Sequence, residues 1–277
     1  MSVFFQKSGH AIDNTPIWQG VDFDFSQPGA RSRGIGSAFV GAADDATAAV
    51  TNPAGLVQLQ EMQATLEGHT IAKESSDIEW GGNTSGSIRN EDKTEVSFFC
   101  FSTPVKLFKD FSINTAIFYN KLSSLGSNID LPKFQDKVKI EGFGIDAIFP
   151  EYSSKIDLAL DEFGTSFGLG LLDGKLMLGA GVSVLYLNVE SEYSQTSPRI
   201  KTSVAQANTF GKMQEKVDVN DDDYDFAFRG GLLYAPIKKL TIGASARIMP
   251  EMDYETKYHI ISDTDFNTSG QLDATVL

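Results

Sequence analysis

The feature that most constrains this chain is a period-two alternation of large apolar with small or polar residues, recurring in segments about ten residues long. Phe111, Ile113, Thr115, Ile117 and Tyr119 fall on one side of an extended segment, and Ser112, Asn114, Ala116, Phe118 and Asn120 on the other. Alternation of that kind is the mark of a strand with two different faces. The same reading predicts strands over Thr94 to Thr103, Phe163 to Leu172, Lys175 to Val189, Tyr224 to Tyr234 and Leu240 to Met249, with a weaker one over Gln63 to Ile71. Helical periodicity is scarce, so the expected class is all-β.

The strands come in similar pairs. FSTPVKLFKDFSINTAIFYN, GLGLLDGKLMLGAGVSVLYL and GLLYAPIKKLTIGASARIMP each hold an apolar strand, a short turn with Pro or Gly near Lys, and a second strand of alternating small and large residues. Each reads as a β-hairpin with a tight turn. Between the pairs lie polar stretches, Ala72 to Lys93, Leu122 to Glu162 and Ser191 to Asp223, which read as solvent-facing loops. Short turns at one end and long loops at the other are the organisation of an outer-membrane β-barrel. A soluble β-sandwich is the competing architecture, but its turns recur every 8 to 12 residues.

Charge narrows the partners. Acidic residues exceed basic ones by 37 to 23, a formal net charge of -14, which argues against nucleic acid or an anionic lipid surface. The single cysteine, Cys100, excludes an internal disulfide framework and reads as a small buried or lipid-facing residue. No stretch is long and apolar enough for a transmembrane helix, and a barrel strand does not need one. The start, MSVFFQKSGHAI, lacks a leader pattern, and the final GQLDATVL does not form a closing aromatic-rich strand. The expectation is therefore a piece of a longer barrel, about half of its strands, without its signal peptide.

One segment falls outside the alternation. Gly29 to Leu56, GARSRGIGSAFVGAADDATAAVTNPAGL, is the densest run of small residues in the chain. As a nucleotide-binding loop after Val21, Phe23 and Phe25 it fails, because Gly34, Gly36 and Gly41 do not give the dinucleotide fingerprint and no Gly-Lys-Ser/Thr follows. Glycine and alanine permit close backbone approach, so the segment is expected to pack tightly on something. Within it Asp44 or Asp45 would cap a short helix running through Val50, and Pro53 would end it.

These residues carry a resemblance. Gly34 and Gly36, the run Ala43-Asp44-Asp45-Ala46 and the triplet Asn52-Pro53-Ala54, followed by a first strand near Gln63, resemble the N-terminal hatch of the FadL/TodX family of outer-membrane transporters for hydrophobic compounds. A PorV-type barrel that assists protein secretion or surface attachment shares the Asp-Asp and Asn-Pro-Ala-Gly features and is the alternative. The resemblance covers about Gly29 to Leu66. It implies a 14-stranded barrel in the outer membrane of a Gram-negative bacterium, with residues 1–62 as hatch and 63–277 as barrel strands with long outer loops. It further implies a hydrophobic ligand such as a long-chain fatty acid, lipid around the barrel, a monomer, and passage of ligand sideways through a gap in the wall. Within the hatch Asn52 is the residue whose amide would satisfy buried backbone or wall groups.

Pocket residues are not assigned. Phe143, Ile145, Ile148 and Phe149 are candidates for outer ligand capture or for the core of a folded loop. Asp218, Asn220, Asp221, Asp222 and Asp223 resemble the start of a calcium loop but lack its glycine and terminal glutamate; a solvated acidic loop is the simpler reading. His10, His69 and His259 have no metal-ligand spacing. No nucleophile motif is present, so no enzyme, cofactor or metal is expected.

Overall fold

The structure, a computed structural model, describes residues 28–71, 76–80, 84–90, 93–108, 111–131, 134–140, 143–149, 152–172, 174–196, 199–202, 213–237, 239–262 and 268–275. Val21, Phe23, Phe25 and the first part of the expected hatch lie outside these residues. The described chain opens with two short helices, α1 (Ala30–Gly34) and α2 (Ala48–Thr51), and a 3-10 helix (Pro53–Gln58). Among the described residues the regular elements after them are all strands: β1 (Gln63–Ile71), β2 (Ser76–Trp80), β3 (Thr84–Asn90), β4 (Lys93–Phe108), β5 (Phe111–Leu131), β6 (Phe134–Ile140), β7 (Phe143–Phe149), β8 (Tyr152–Leu171), β9 (Leu176–Thr196), β10 (Arg199–Thr202), β11 (Met213–Ile237), β12 (Leu240–Ile248), β13 (Asp253–Ser262) and β14 (Thr268–Thr275). The all-β expectation therefore holds, and every strand pair is antiparallel. Among the described residues no helix is long and apolar enough to cross a membrane.

The principal sheet runs in the order β1-β4-β5-β8-β9-β11-β13-β14, with β12 beside β11 and the β2–β3 pair joined to it through β5. The three hairpins expected from the repeated plan are β4–β5, β8–β9 and β11–β12. The β8–β9 turn is tight because Leu172 and Gly174 take φ of 53° and 79°, the left-handed region that glycine enters freely. A smaller sheet joins β10, β7 and β6.

Among the described residues the polar stretches are strand. Ala72 to Lys93 contains β2 and β3, and Leu122 to Glu162 holds the end of β5, all of β6 and β7, and the start of β8. Ser191 to Asp223 extends β9 and opens β11. Strands β8, β9 and β11 pair over about twenty residues each, so ladder hydrogen bonds override the low strand propensity of Asp and Asn. The acidic run Asp218–Asp223 accordingly lies inside β11 opposite Leu187–Glu192 of β9, extended rather than wrapped as a calcium loop. Phe143, Ile145, Ile148 and Phe149 belong to β7, and their side chains lie outside the described part of the molecule.

The sheet has two unlike faces. On one, Phe98, Cys100, Phe118, Leu158, Leu160 and Leu185 are buried, and the N-terminal segment lies on this inner face. On the other, Phe101, Ile117, Phe167, Tyr186, Phe228 and Tyr234 remain exposed. Contiguous exposed apolar surface on this scale is unusual for a chain surrounded by water.

Candidate functional site

The N-terminal segment is held mainly by its backbone. A helix end leaves carbonyls without partners, and here the sheet supplies donors for them. Ser166 Oγ donates to Ala49 O at 2.6 Å and Arg229 Nη1 to Val50 O at 3.0 Å. Asn114 Nδ2 donates to Leu56 O at 2.5 Å and Leu59 O at 2.6 Å. Near the start of the segment, the Gly29 amide donates to Glu67 Oε2 of β1 at 2.9 Å.

Asn52, fully buried, lies at the centre. Its Nδ2 donates to Val40 O at 2.8 Å within the segment and to Leu232 O of β11 at 3.3 Å, while its Oδ1 accepts from Ala54 N at 3.2 Å. It also ends α2 and precedes Pro53, the first residue of the 3-10 helix. Asn52→Ala is expected to cost about 1–3 kcal/mol, because Val40 O loses its side-chain donor and the Ala54 amide its acceptor inside the protein. Thermal unfolding in mild detergent measures this, and Asn52→Asp should cost more because it turns an acceptor toward two carbonyls.

Of the other motif residues, Asp45 closes the turn ahead of α2, accepting from Thr47 N at 2.9 Å and Thr47 Oγ1 at 2.5 Å; the N-cap of α2 is Thr47, without a side-chain cap, so neither Asp44 nor Asp45 caps that helix as expected. Asp44 instead pairs with Arg31, whose guanidinium that hydrogen bond and the Asp44 charge hold above its ordinary pKa. Gly34 and Gly36 are exposed, away from Asn52; Gly36 has φ 65° and serves a turn.

Pro53 and Ala54 rest on a row of three glycines in register on neighbouring strands, Gly168, Gly179 and Gly231. A Cβ on Gly179 would collide with Pro53 C and Ala54 N, and one on Gly231 with Asn52 Oδ1. At Gly168 it would lie 2.9 Å from Pro53 O. The row is a groove cut to the depth of a backbone.

Two residues along β11 from Gly231 begins a charge cluster that the sequence reading did not single out. Arg229 and Arg247 face one another across β11 and β12, next to Gly181 of β9. Glu162 of β8 is fully buried and Arg229 nearly so. The Glu162 carboxylate accepts from Arg229 Nη2, from Ser183 Oγ at 2.5 Å and from Asn120 Nδ2 at 3.3 Å, and Arg247 Nη2 lies 3.0 Å from it. The Arg229 guanidinium also stacks 4.8 Å from the Phe118 ring centroid. Two cations share one anion here.

Between this cluster and the N-terminal segment is a cavity of about 360 Å³, within the size range of small-molecule sites. Val50, Leu122 and Met249 supply apolar lining and Arg229 and Arg247 the charge. Beside it the wall is irregular. The β11 ladder follows β12 up to Phe228↔Ile248 and resumes with β13 at Val219↔Thr256, with Met249 to Met252 between. Across the break, Asp223 Oδ2 accepts from Asp253 N at 3.0 Å and Asp221 Oδ2 from Glu255 N at 2.7 Å, so side chains replace part of the missing ladder.

No family model matches the chain, and none of the curated proteins compared with it matches.

Proposed function

We propose that this chain is part of an outer-membrane transport protein, a plugged β-barrel that takes up hydrophobic compounds such as long-chain fatty acids, with the N-terminal segment as its hatch. The observation that carries the reading is the pairing of a small-residue segment seated on the inner face of an antiparallel sheet with an apolar, exposed outer face. From Tyr224 to Tyr234 β11 advances about 34 Å at roughly 3.4 Å per residue. A tilt of about 45° projects this to about 24 Å, close to the ~25 Å apolar band of an outer-membrane barrel. Phe226, Phe228, Leu232 and Tyr234 are exposed along that length.

The cavity under the hatch and the ladder break at Met249 to Met252 give such a barrel a route without an aqueous pore. An apolar molecule rests between hatch and wall, then leaves sideways at the break, where fewer backbone hydrogen bonds hold the strands together. Small residues let the hatch shift with little repacking. The resemblance of Gly29 to Leu66 to the FadL/TodX hatch supports the same reading, and the chemistry asked of the protein is binding and passage rather than catalysis.

The test uses the full-length protein purified from outer membranes in mild detergent. Native mass spectrometry with organic extraction should find a co-purified apolar molecule that added long-chain fatty acid displaces. A barrel free of specific ligand but holding a protein partner would overturn the transport reading in favour of a secretion or attachment role.

A further inference from the structure

We propose that the short-turn end of the sheet is a docking rim for the phosphate headgroups of an anionic phospholipid leaflet, with Lys175 and Lys239 as its contacts. This rests on reading the sheet as a membrane-embedded wall, and adds which lipid one of its ends selects.

The turns that carry these lysines lie together. Neighbouring strands from β4 to β12 run antiparallel along the sheet, so the β4–β5, β8–β9 and β11–β12 connections fall at one end. Ala235 N donates to Lys175 O at 2.8 Å, which sets the β8–β9 turn against the close of β11, where Ile237 pairs with Leu240 on either side of Lys239. Charge at this end departs from that of the chain. Positions 106–110, 172–175 and 236–239 hold five lysines and two aspartates, while over the whole chain acidic residues outnumber basic ones by 37 to 23. The net negative charge that argues against an anionic surface therefore resides elsewhere.

The outward face shows where such lysines stand. On β8 the outward residues between Asp161 and the turn are Phe163, Thr165, Phe167, Leu169 and Leu171. None is charged, and the outward positions from Tyr186 to Leu176 on β9 and from Tyr224 to Tyr234 on β11 are uncharged too. Charges resume at both ends of this band in different ways. At the far end they neutralise one another: Lys121 Nζ lies 3.1 Å from Asp161 and 3.5 Å from Glu95, and Lys93 Nζ donates to Asp157 at 2.8 Å. At the turn end Lys175 and Lys239 are exposed, and neither has an ion-pair partner among the described residues. Leu172, Ile237 and Leu240 are exposed beside them. A lysine stem lies along apolar surface while its ammonium reaches for water or a headgroup. Unpaired ammonium groups flanked by apolar side chains thus match the boundary where acyl chains give way to phosphate. A purely acidic peptide would satisfy the charges and leave those three side chains without apolar neighbours.

The experiment is native mass spectrometry of the full-length protein in mild detergent at low ionic strength, titrated with dioleoyl phosphatidylglycerol and dioleoyl phosphatidylcholine. Wild type is compared with K175Q/K239Q, K175R/K239R and K155Q, the last removing an exposed lysine of β8 beyond the far end of the band. Phosphatidylglycerol should be retained in preference. K175Q/K239Q should weaken that retention about thirtyfold, each lysine near an anionic surface being worth roughly fivefold, while phosphatidylcholine, K175R/K239R and K155Q show no change. Protease resistance of Gly29 to Leu59 checks the fold of K175Q/K239Q; if that variant loses it, the fall of wild-type preference with added salt carries the test. Equal retention of the two lipids, insensitive to substitution and salt, would overturn the rim and leave standing a transporter whose apolar ligand fatty acid still displaces. Displacement of phosphatidylglycerol by millimolar inorganic phosphate would make this a free-anion site, and tighter binding of polyglutamate than of phosphatidylglycerol a protein-docking end; either overturns the lipid assignment. A protein that stays monodisperse without detergent and retains no lipid would overturn the membrane reading and the rim together.

Discussion

Replacing Glu162 by leucine is expected to destabilise the folded chain by about 3–5 kcal/mol, since it removes the shared anion and leaves two buried or half-buried guanidinium groups uncompensated. The carboxylate is fully enclosed, with Arg229, Ser183, Asn120 and Arg247 around it, so water cannot readily take its place. Glu162→Gln should cost less, because an amide oxygen still accepts from Ser183 or Arg229. The double substitution E162L/R229M should recover part of the loss, as apolar replacement of a buried ion pair often does. Urea unfolding of the full-length protein from lipid vesicles gives these values. A loss below about 1 kcal/mol for E162L would mean that the cluster is solvated like a surface ion pair and does not hold the sheet interior together.

Replacing Gly179 by alanine is expected to unseat the N-terminal segment, although it adds only one methyl group. The new Cβ meets Pro53 C and Ala54 N, and backbone cannot swing aside as the end of a long side chain would. Overpacking costs of about 1–3 kcal/mol or more are usual in such places. The readout is cleavage between Gly29 and Leu59 by added protease, which should rise from about fivefold to above a hundredfold if that free energy is drawn from seating. Gly230→Ala is the matched control, one residue from Gly231 and with open space where its Cβ would go. If both variants are cut at the wild-type rate, the glycine groove does not determine how the segment sits.

Much of the sheet was legible in the sequence, and the reason is local. Where one face is apolar and the other small or polar, as in Phe111 to Asn120, alternation reports both the strand and its orientation. The first strand, Gln63–Ile71, matched its expected bounds. Where neither face is apolar, the signal vanishes: the Asp218–Asp223 run looks like a loop, yet it lies inside β11, held by pairing with β9. Such pairing is a property of two segments and is invisible in either alone.

The site was legible only in part. Asn52 stood out because an amide beside a proline in a run of small residues has few reasons to be there. The glycine row had a signal, glycines within the strand segments GLGLL, LGAGV and RGGLL, but only register shows that they line up. Glu162, Arg229 and Arg247 had one too, since each is a charge on the inward side of a strand whose outward side is largely apolar. Glu162 and Arg229 are 67 residues apart in sequence, and nothing short of the cross-strand pairing brings them together.

The distance along the chain between the residues of the N-terminal segment and their partners bears on how this molecule assembles. Asn52 donates to the carbonyl of a residue 180 positions later, and Arg229 reaches back 179 positions to Val50. Contacts of such separation form late, after the chain between them has closed its loops. The groove of Gly168, Gly179 and Gly231 exists only once three strands have met in correct register, and a slip of one residue would present large side chains in its place. A segment that precedes these strands in the chain is thus seated after they pair, and its docking is a check that the sheet behind it came together in the right register.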